Sequence, residues 1–418
     1  MRVSVSVAVA LGLAAQALAS TRVLMLGNGD QTHSSLVKRL SADHSLVYAA
    51  DSLLDSYGLR KFDILLLLGV SPFTPKDLMA HLDAGGNILI AAGSKVPENL
   101  REFAFEFSVD FDDRLTTLYD PVSALDSSPD KTSFYAQNYA PAAANVVPSA
   151  LTAPLVFSDA IAHRLTGKNR LAFPVLSANP STYSFLAPEQ GKNSGKSVSE
   201  TTPFIGTKIQ LISALQTRGN ARVLFCASVD FFSDAHEDTN AGVVDQIVAW
   251  TSQKSGVLRI HPAAHHHRTS QPGQQHGIYR IKDEMTYSLG IQQLDAATGT
   301  WTPYTANDVQ FQVKMLDDYL RLPMTSDSQG MYRVNFTLPD VYGVFTFKTS
   351  YWRHGLTYLD AADIVQVRPY RHDDYPRFLS SAWVYYVNVA SMMGAFLALC
   401  AVWLFHRDAP TKEKPKHE

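Results

Sequence analysis

An uncharged apolar run near the carboxyl end constrains this chain more than any other feature. Residues 382–405 read AWVYYVNVASMMGAFLALCAVWLF, without Asp, Glu, Lys or Arg. As a helix this run would rise about 36 Å, enough to cross a hydrocarbon core of about 30 Å. Trp383, Tyr385 and Tyr386 lie near one end of the run. Trp403 lies near the other, and such rings favour the headgroup region. The run predicts one transmembrane helix with four interfacial anchors; a buried core helix is the alternative.

The amino end of the chain has the pattern of a secretory signal peptide. Met1 and Arg2 provide a short positive start, and residues 3–18 are apolar and rich in Ala, Val and Leu. A small-residue pattern then predicts cleavage between Ala19 and Ser20. An uncleaved anchor is the alternative. A cleaved signal followed by a carboxyl-terminal span predicts a type I single-pass protein, with its bulk in the lumen of the endoplasmic reticulum and a short cytosolic tail.

The predicted tail, residues 406–418, is basic and ends in Lys-Pro-Lys-His-Glu. Lys416 and Lys414 occupy the third and fifth positions from the end, as in dilysine retrieval signals of endoplasmic reticulum membrane proteins. Such signals are addresses that a receptor reads. The alternative is a solvated basic tail without a receptor.

The charge argues against a nucleic-acid partner, and the cysteine content argues against an intrachain disulfide. The formal net charge is −3, and no stripe of Lys and Arg is present, so we expect no nucleic-acid partner. The chain has two cysteines, Cys226 and Cys400, and the second lies in the predicted span. The two cannot form an intrachain disulfide, because they would lie in different phases. Cys226 sits between apolar neighbours, which favours a small buried side chain over a reactive thiol.

Residues 20–145 alternate between strand and helix patterns. Continuous apolar segments predict strands at 22–26, 62–68 and 87–92, and helical spacing predicts helices at 32–40, 74–82 and 97–107. Strands separated by helices are typical of βαβ units and a mainly parallel sheet. We therefore predict an α/β domain of flavodoxin-like type at residues 20–145, which follows the signal peptide at residues 1–19.

Sheets of this type bind ligands beyond the carboxyl ends of their strands, so any catalytic residues are expected at this edge. The segment Gly27-Asn28-Gly29-Asp30 lacks the third glycine of a dinucleotide fingerprint, and no phosphate-loop lysine follows it. Asp30 with His33 could form an acid–base pair, but a polar cap at the start of a helix is the favoured interpretation. Ser94 is a candidate nucleophile by position alone. No catalytic residue and no cofactor is assigned. A luminal hydrolase or amidotransferase-like enzyme using this crevice is the alternative function.

Residues 146–260 form a middle α/β region that either has its own core or extends the first sheet. It contains predicted strands at 171–176, 184–186 and 222–232, an apolar segment at 209–215 and a predicted helix at 241–252. Residues 261–276 are rich in Ser, Gln and Pro, which predicts a linker or an interface loop. His261 and His265–His267 could bind zinc, but no Cys or Glu accompanies them at ligand spacing, and no metal site is assigned.

Residues 277–370 have short alternating segments split by turns, the pattern of an antiparallel β-sandwich of immunoglobulin-like type. Asn335 begins the sequon Asn-Phe-Thr, a possible glycan acceptor if this region is luminal, or else an unused sequon inside a strand. Residues 371–381 form a juxtamembrane segment. A glycan-binding role is a third function, for which Tyr351, Trp352 and Tyr358 are candidate platforms; sandwich core is the alternative.

Several longer segments carry a family resemblance. These segments, in chain order, are LQTRGNARVLF at 215–225, SVDFFSD at 228–234, GVLR at 256–259, the histidines at 265–267, LPDVYGVF at 338–345, Tyr375, and Arg377-Phe378. In this order they resemble the forty-eight-kilodalton subunit family of oligosaccharyltransferase, which includes the fungal wheat-germ-agglutinin-binding protein. The similarity runs from the first strand through the predicted span and is looser between 121 and 205.

The resemblance implies an endoplasmic reticulum complex that transfers a preassembled glycan from dolichyl diphosphate to Asn in nascent chains. It implies an accessory subunit that supports assembly and stability, with catalysis and metal binding in a separate polytopic subunit. The expected partners are the other oligosaccharyltransferase subunits, that catalytic subunit included, and the membrane. The small-residue face of Ala390, Gly394 and Ala398 could contact a partner helix or lipid.

Overall fold

The structure, a computed structural model, describes most of the chain. The described residues are 21–27, 32–126, 128, 130–148, 153–186, 204–270, 277–296, 298–375 and 377–407. The predicted signal peptide with its cleavage site at Ala19 and Ser20 lies outside them, as do Lys414 and Lys416 of the tail. Within this range the protein is a mixed α/β chain with many strands and a carboxyl-terminal apolar helix that is long enough to span a membrane.

A ten-stranded sheet organises the first 260 residues. Its strands are β1 (Thr21–Leu26), β2 (His44–Val47), β3 (Ile64–Leu68), β4 (Asn87–Ala91), β5 (Val109–Phe111), β8 (Asn138–Tyr139), β10 (His163–Leu165), β11 (Ala172–Ser177), β13 (Gln210–Gln216) and β14 (Arg222–Cys226). The main order is β2-β1-β3-β4-β14-β13-β10-β5, and β11 pairs with β13 and β8. Two short antiparallel pairs lie beside it: β6 (Thr116–Tyr119) with β12 (Tyr183–Leu186), and β7 (Phe134–Ala136) with β9 (Leu155–Phe157).

The direction of pairing divides this sheet. β2, β1, β3, β4 and β14 run parallel, whereas β13, β10, β5 and β11 are joined by antiparallel pairs. Strand β14 lies at 222–226 in the chain yet pairs with β4. Strands before residue 145 and strands after it therefore belong to one sheet.

Helices cover both faces of the parallel strands. They are α1 (Ser34–Asp43), α2 (Pro75–Asp83), α3 (Glu98–Glu106) and α4 (Glu237–Thr251). Side chains of α1 and α4 share a core with Ile64, Leu66 and Leu68 of β3, while those of α2 and α3 share a core with Leu65 and Leu67. A strand buried on both faces must be apolar at every position, which explains the unbroken run in β3.

Local sequence signals set the start of one helix but not of another. Thr74 caps α2: its hydroxyl accepts from the Asp77 amide at 3.3 Å, and the Asp77 carboxylate accepts from the Thr74 amide at 3.1 Å. Helix α1 begins at Ser34, two residues later than predicted, and His33 at its N-cap makes no side-chain capping bond.

The predicted strand at 222–232 is shorter in the structure. β14 ends at Cys226, and a 3₁₀ turn occupies Asp230–Phe232. The chain turns here because the hydroxyl of Ser228 donates to the Ser158 carbonyl and accepts from the Phe231 amide. These side-chain hydrogen bonds take the place of the backbone hydrogen bonds that a longer strand would need.

Residues 258–368 form a second unit, the β unit, in which two sheets enclose one core. One sheet contains β15 (Leu258–Ile260), β16 (Ala264–His267), β18 (Glu284–Leu294), β19 (Trp301–Pro303), β22 (Thr325–Ser326) and β23 (Met331–Thr337). The other contains β17 (Ile278–Arg280), β20 (Gln310–Lys314), β21 (Asp318–Pro323), β24 (Gly343–Tyr351) and β25 (Leu359–Arg368). Strand β16 lies within the segment predicted as a linker and pairs with β18. Among the described residues of this unit, β17 and β25 form the only parallel pair.

The last described element is helix α5 (Trp383–Phe405), preceded by a 3₁₀ turn at Ser380–Ala382. The candidate span runs from Ser380 to Phe405. In its most apolar stretch no residue is buried by the described part of the chain. A long apolar helix with no residue buried by the described part of the chain needs an apolar surrounding.

Candidate functional site

The carboxyl edge of the parallel strands is the first candidate for a ligand-binding site. β1, β3, β4 and β14 lead to Gly27, Gly69, Ala92-Gly93 and Ala227-Ser228. Ligands of doubly wound sheets bind at this edge.

The chain itself occupies part of this edge. A Cβ atom added to Gly69, where φ is +69°, would lie 3.2 Å from Cγ2 of Val229. A Cβ on Gly93 would lie 3.7 Å from the same methyl group. Nε2 of His33 is 3.4 Å from the Val229 carbonyl oxygen. Val229 therefore fills the space above two glycines and contacts the amino end of α1.

The amino terminus of α1 is bound by a carboxylate of the same chain. Asp234 accepts from the amides of Ser34 and Ser35 at 2.9 Å each and from both hydroxyl groups at 2.6 Å each. These hydrogen bonds hold the pKa of Asp234 well below its ordinary value. A helix amino terminus attracts anions. Asp234 supplies the anion here, from a residue that lies 200 positions further along the chain than Ser34.

The sequence-based catalytic candidates contact different partners. Asp30 lies outside the described residues. Nδ1 of His33 is 2.6 Å from Oγ1 of Thr32, whereas Ser94 donates to Oδ2 of Asp159 at 3.2 Å. Burial raises the pKa of Asp159. Among the described residues no hydrogen bond joins His33 to Ser94, so the arrangement lacks the nucleophile–base contact of covalent catalysis.

Cys226 is fully buried at the end of β14. Burial raises the pKa of its thiol to about 12. At neutral pH the group is a thiol, which is a poor nucleophile and a poor metal ligand.

The histidines at 265–267 lie on β16. Nδ1 of His265 is 2.8 Å from the Tyr279 hydroxyl, and Nδ1 of His267 is 3.8 Å from a carboxylate oxygen of Asp283. Burial lowers the pKa of His265. Within the described ranges no group of three or more His, Cys, Asp or Glu side chains is placed to hold a metal ion.

An extensive polar arrangement lies where the β unit meets α4. Arg222 of β14 is buried, and its guanidinium donates to the carbonyls of Trp250, Ser255 and Gly256 at 2.6, 2.7 and 2.9 Å. It also lies 4.8 Å from the Trp250 ring centre. One cation therefore satisfies carbonyls at the end of α4 and in the connection to β15.

The loop between β24 and β25 completes this junction. The Trp250 indole donates to the Gly355 carbonyl at 2.9 Å, and the Thr357 amide donates to the Gly256 carbonyl at 3.0 Å. Oδ1 of Asn220 accepts from the Tyr358 amide at 2.7 Å. We call these six residues the docking junction. The sequence signal for it was the segment 215–225, which carried the resemblance but gave no contacts.

Contacts at and beside this loop hold two of the candidate glycan platforms, Tyr351 and Tyr358, against the rest of the chain. Tyr351 is buried, with its hydroxyl 2.9 Å from that of Tyr304, and the Tyr358 backbone bonds to Asn220. The Trp352 ring packs edge-on against His354 at 5.2 Å. The three do not form one exposed face.

Comparison with known proteins agrees with the boundary at this junction. A model described as "OST48, N-terminal domain" matches residues 14–254, and one described as "OST48 middle domain" matches residues 265–407. This chain belongs to the OST48 family. The first match covers the ten-stranded sheet and α4, and the second covers the β unit from β16 onward together with α5.

Full-length relatives support the OST48 assignment. The Caenorhabditis elegans dolichyl-diphosphooligosaccharide–protein glycosyltransferase 48 kDa subunit is 33% identical over 426 residues, with 94% of this chain and 93% of that protein covered. The Arabidopsis thaliana 48 kDa subunit is 30% identical, covering 87% and 86%. The Schizosaccharomyces pombe glycosyltransferase subunit wbp1 is 32% identical, covering 84% and 83%. Among solved structures, the mmIFT52 N-terminal domain has a TM-score of 0.43 at 15% identity, covering 56% of this chain and 97% of that one.

In this OST48 chain the predicted glycan acceptor lies on β23. The Asn335 side chain is exposed, and its Oδ1 accepts from the Thr286 hydroxyl at 2.8 Å. Thr337, the third residue of the sequon, is exposed on the same face. Outward alternation along the strand therefore places both sequon positions in solvent.

The predicted membrane anchors lie on α5. Trp383, Tyr385, Tyr386 and Trp403 are all exposed at the surface of the chain. The Tyr386 ring stacks on Phe378 with centres 4.8 Å apart, and its hydroxyl accepts from the Leu379 amide at 3.3 Å. The first turn of α5 is thereby joined to the segment that precedes it.

Proposed function

We propose that this protein is an accessory, non-catalytic subunit of the oligosaccharyltransferase complex of the endoplasmic reticulum. It would support transfer of a preassembled glycan from dolichyl diphosphate to Asn of N-x-S/T sequons through assembly and stability of the complex. The observation that carries the proposal is the end-to-end match to subunits of that name, 94% of this chain in the nematode protein.

The geometry of the sheet edge favours an accessory role. Val229 and Asp234 occupy the positions above Gly69 and at the start of α1, where a ligand of a doubly wound sheet would bind. The Ser94 hydroxyl contacts a carboxylate and not an imidazole. No cofactor is proposed, and catalysis would belong to the polytopic subunit that is an expected partner.

We propose flavodoxin-like architecture for the amino-terminal sheet and an immunoglobulin-like sandwich for the β unit. The parallel order β2-β1-β3-β4-β14 supports the first, because it matches the 2-1-3-4-5 order of flavodoxin-like sheets. Two mainly antiparallel sheets around one core support the second. The proposed domain limits are 20–145, 146–260, 261–276 and 277–370, with the first two regions joined through one sheet.

For topology we propose a signal peptide cleaved after Ala19, a type I span in α5, and a luminal body. Residues 371–381 would be juxtamembrane, 382–405 the span and 406–418 cytosolic, with Lys414 and Lys416 as the retrieval signal. The length and apolarity of α5 support the span. Protease protection of the body in sealed microsomes, with loss of only the tail, is the expected result.

Proposed partners are the other subunits of the complex and the membrane. The small-residue face of Ala390, Gly394 and Ala398 on α5 would allow close approach of a partner helix. The test is purification of the full chain in mild detergent, followed by mass spectrometry of the proteins that accompany it. An unrelated single-span membrane protein of the same organelle is the control. Recovery of no oligosaccharyltransferase subunit above that control would overturn the proposal.

We also propose that Asn335 carries a glycan. Its exposure on β23 supports the proposal. Treatment with a glycan-releasing endoglycosidase should shift the electrophoretic mobility of the wild-type chain and leave Asn335→Gln unchanged. A wild-type chain that does not shift would contradict it.

A further inference from the structure

One end of the β unit carries the chain toward α5, and two loops lie at that same end. Gly343 begins β24 and pairs near the carboxyl end of β25, so the loop 338–342 adjoins the exit of the chain. Lys314 at the end of β20 pairs with Thr346 of β24, which places the turn 315–317 beside that loop. We call the loop, the turn and residues 369–375 the exit end.

Direct contacts hold the exit end together. A Cβ added to Gly343 would lie 3.0 Å from Sδ of Met315, so the turn and the loop touch. Nζ of Lys282 pairs with Asp340 at 2.7 Å. Met315 and Tyr370 also pack against the edge of the β-unit core. The three segments therefore form one surface.

The chain is bound to this surface before it leaves for α5. Nη1 of Arg368 donates to Oδ2 of Asp374 at 2.8 Å, and Nη1 of Arg280 lies 3.6 Å from Oδ1 of the same carboxylate. The Arg280 guanidinium lies 5.2 Å from the Tyr370 ring centre. Only residues 375–382 then remain before the helix, and a segment of that length spans at most about 28 Å.

The tips of both loops are apolar and exposed. Leu316 is 86% exposed and Tyr342 is 67% exposed, although neighbours such as Met315 turn inward. Large apolar side chains at adjoining loop tips favour contact with another apolar phase. Tyr has an apolar ring and a polar hydroxyl, which suits the boundary between headgroups and acyl chains.

We propose that the exit end contacts the bilayer that α5 crosses, with Leu316 and Tyr342 inserted among the lipid headgroups. The short tether and the shared surface with residues 369–375 select the lipid surface as the occupant. Lys282 and Arg368 are paired with Asp340 and Asp374, so apolar burial drives the contact and anionic lipid adds little. The proposal needs the span but not membership of the complex.

The test places an environment-sensitive fluorophore at single cysteines of the full chain in lipid nanodiscs. Cys400→Ala removes the cysteine of the span, and Cys226 is buried. Leu316→Cys and Tyr342→Cys are the probes. Ser328→Cys is the control, since it is exposed in the turn at the opposite end of β23. The nanodiscs contain phosphatidylcholine with or without nitroxide-labelled acyl chains, and the protein is reconstituted with the subunits that accompany it.

Blue-shifted emission with nitroxide quenching several times stronger at positions 316 and 342 than at 328 is the expected result. Water-like emission at all three positions would overturn the proposal. Blue-shifted emission without lipid quenching would also overturn it, because a protein partner would then cover the exit end. If no subunit accompanies the chain, the proposed function fails while the lipid measurement on the full chain still stands on its own.

Discussion

The indole N–H of Trp250 donates a 2.9 Å hydrogen bond to the carbonyl of Gly355, which lies 105 residues further along the chain. Trp250 is the last buried aromatic residue of α4, and Gly355 lies in the loop between β24 and β25. This bond joins the amino-terminal sheet to the β unit in a buried position, where an unpaired carbonyl is costly.

Trp250→Phe should weaken the docking junction. The substitution keeps most of the apolar volume but leaves the Gly355 carbonyl without its donor, at a cost of about 1–3 kcal/mol. Thermal unfolding and hydrogen exchange of residues 352–358 are the measurements. Trp301→Phe is the control, because the Trp301 ring packs against the Arg259 guanidinium and takes no part in the bond to Gly355. Equal effects of the two substitutions would contradict the assignment.

Gly256→Ala should weaken the contact between the amino-terminal sheet and the β unit. The effect should exceed that of the backbone strain alone. Gly256 has φ of +66°, and an added Cβ would lie 2.3 Å from the Gly355 carbonyl oxygen. Gly167→Ala is the matched control: φ is +73° and no atom lies within 4 Å of the added Cβ. Both changes carry a left-handed backbone cost of about 1–2 kcal/mol. Faster protease cleavage between the units is expected for Gly256→Ala only, and equal cleavage in both variants argues against close docking.

Asp234→Ala should destabilise the amino end of α1. It removes the acceptor for the amides and hydroxyls of Ser34 and Ser35, and loss of such a cap typically costs about 0.5–2 kcal/mol. Chemical denaturation and hydrogen exchange in α1 measure the effect. Asp51→Ala, at an exposed loop carboxylate, is the control. A variant as stable as this control would show that the cap contributes nothing.

Acidification should destabilise the protein through buried histidines. Burial lowers the pKa of His81 to about 4, from an ordinary value of 6.5. In the unfolded chain His81 therefore binds a proton below pH 6.5, whereas in the folded chain it binds one only near pH 4. Stability is therefore complete above pH 6.5 and falls as the pH decreases toward 4, by about 2 kcal/mol at pH 5.

His81→Leu isolates this contribution. It should reduce the loss of unfolding free energy between pH 7 and pH 5 by about 2 kcal/mol relative to wild type. His163, whose pKa burial lowers to about 3, retains its own share in both proteins. His372→Leu, at an exposed position, is the control for replacing a histidine by leucine. An unaltered profile in His81→Leu would refute the assignment.

Ser94→Ala and His33→Gln should leave glycosylation of a reporter glycoprotein at the wild-type level. The two side chains contact Asp159 and the Val229 carbonyl, respectively, and not each other. The assay is reporter glycosylation in cells whose own copy is depleted, with subunit recovery as the check on assembly. Reduced glycosylation with an intact complex would restore the catalytic alternative.

Local patterns predicted the elements whose environment is uniform. The apolar run of β3 and the helix over 382–405 were predicted correctly, because burial on both faces or in lipid demands apolar residues at every position. The Thr74 cap was not needed to place α2, yet it agrees with the predicted start. The end of β14 was placed wrongly, since Val229, Phe231 and Phe232 are apolar outside any strand.

The candidate site was less predictable than the elements around it. His33 and Ser94 were both found at the correct edge of the sheet, but sequence order could not tell whether they touch. The cap from Asp234 was missed, because its partner hydroxyls precede it by 200 residues. Contacts at such separation depend on how β14 joins the sheet, and no local pattern encodes that.

The sequence by itself determined the family, the apolar carboxyl-terminal helix and the alternation of strands and helices, since these depend on residue types at neighbouring positions. The tertiary structure decided that β14 joins the parallel strands beside β4, that Arg222 binds the Gly256 carbonyl, and that Trp250 binds the Gly355 carbonyl. It also decided that Val229 fills the sheet edge. The reason is physical: side-chain periodicity is a local property, whereas a hydrogen bond between distant residues exists only after the sheet has brought them together.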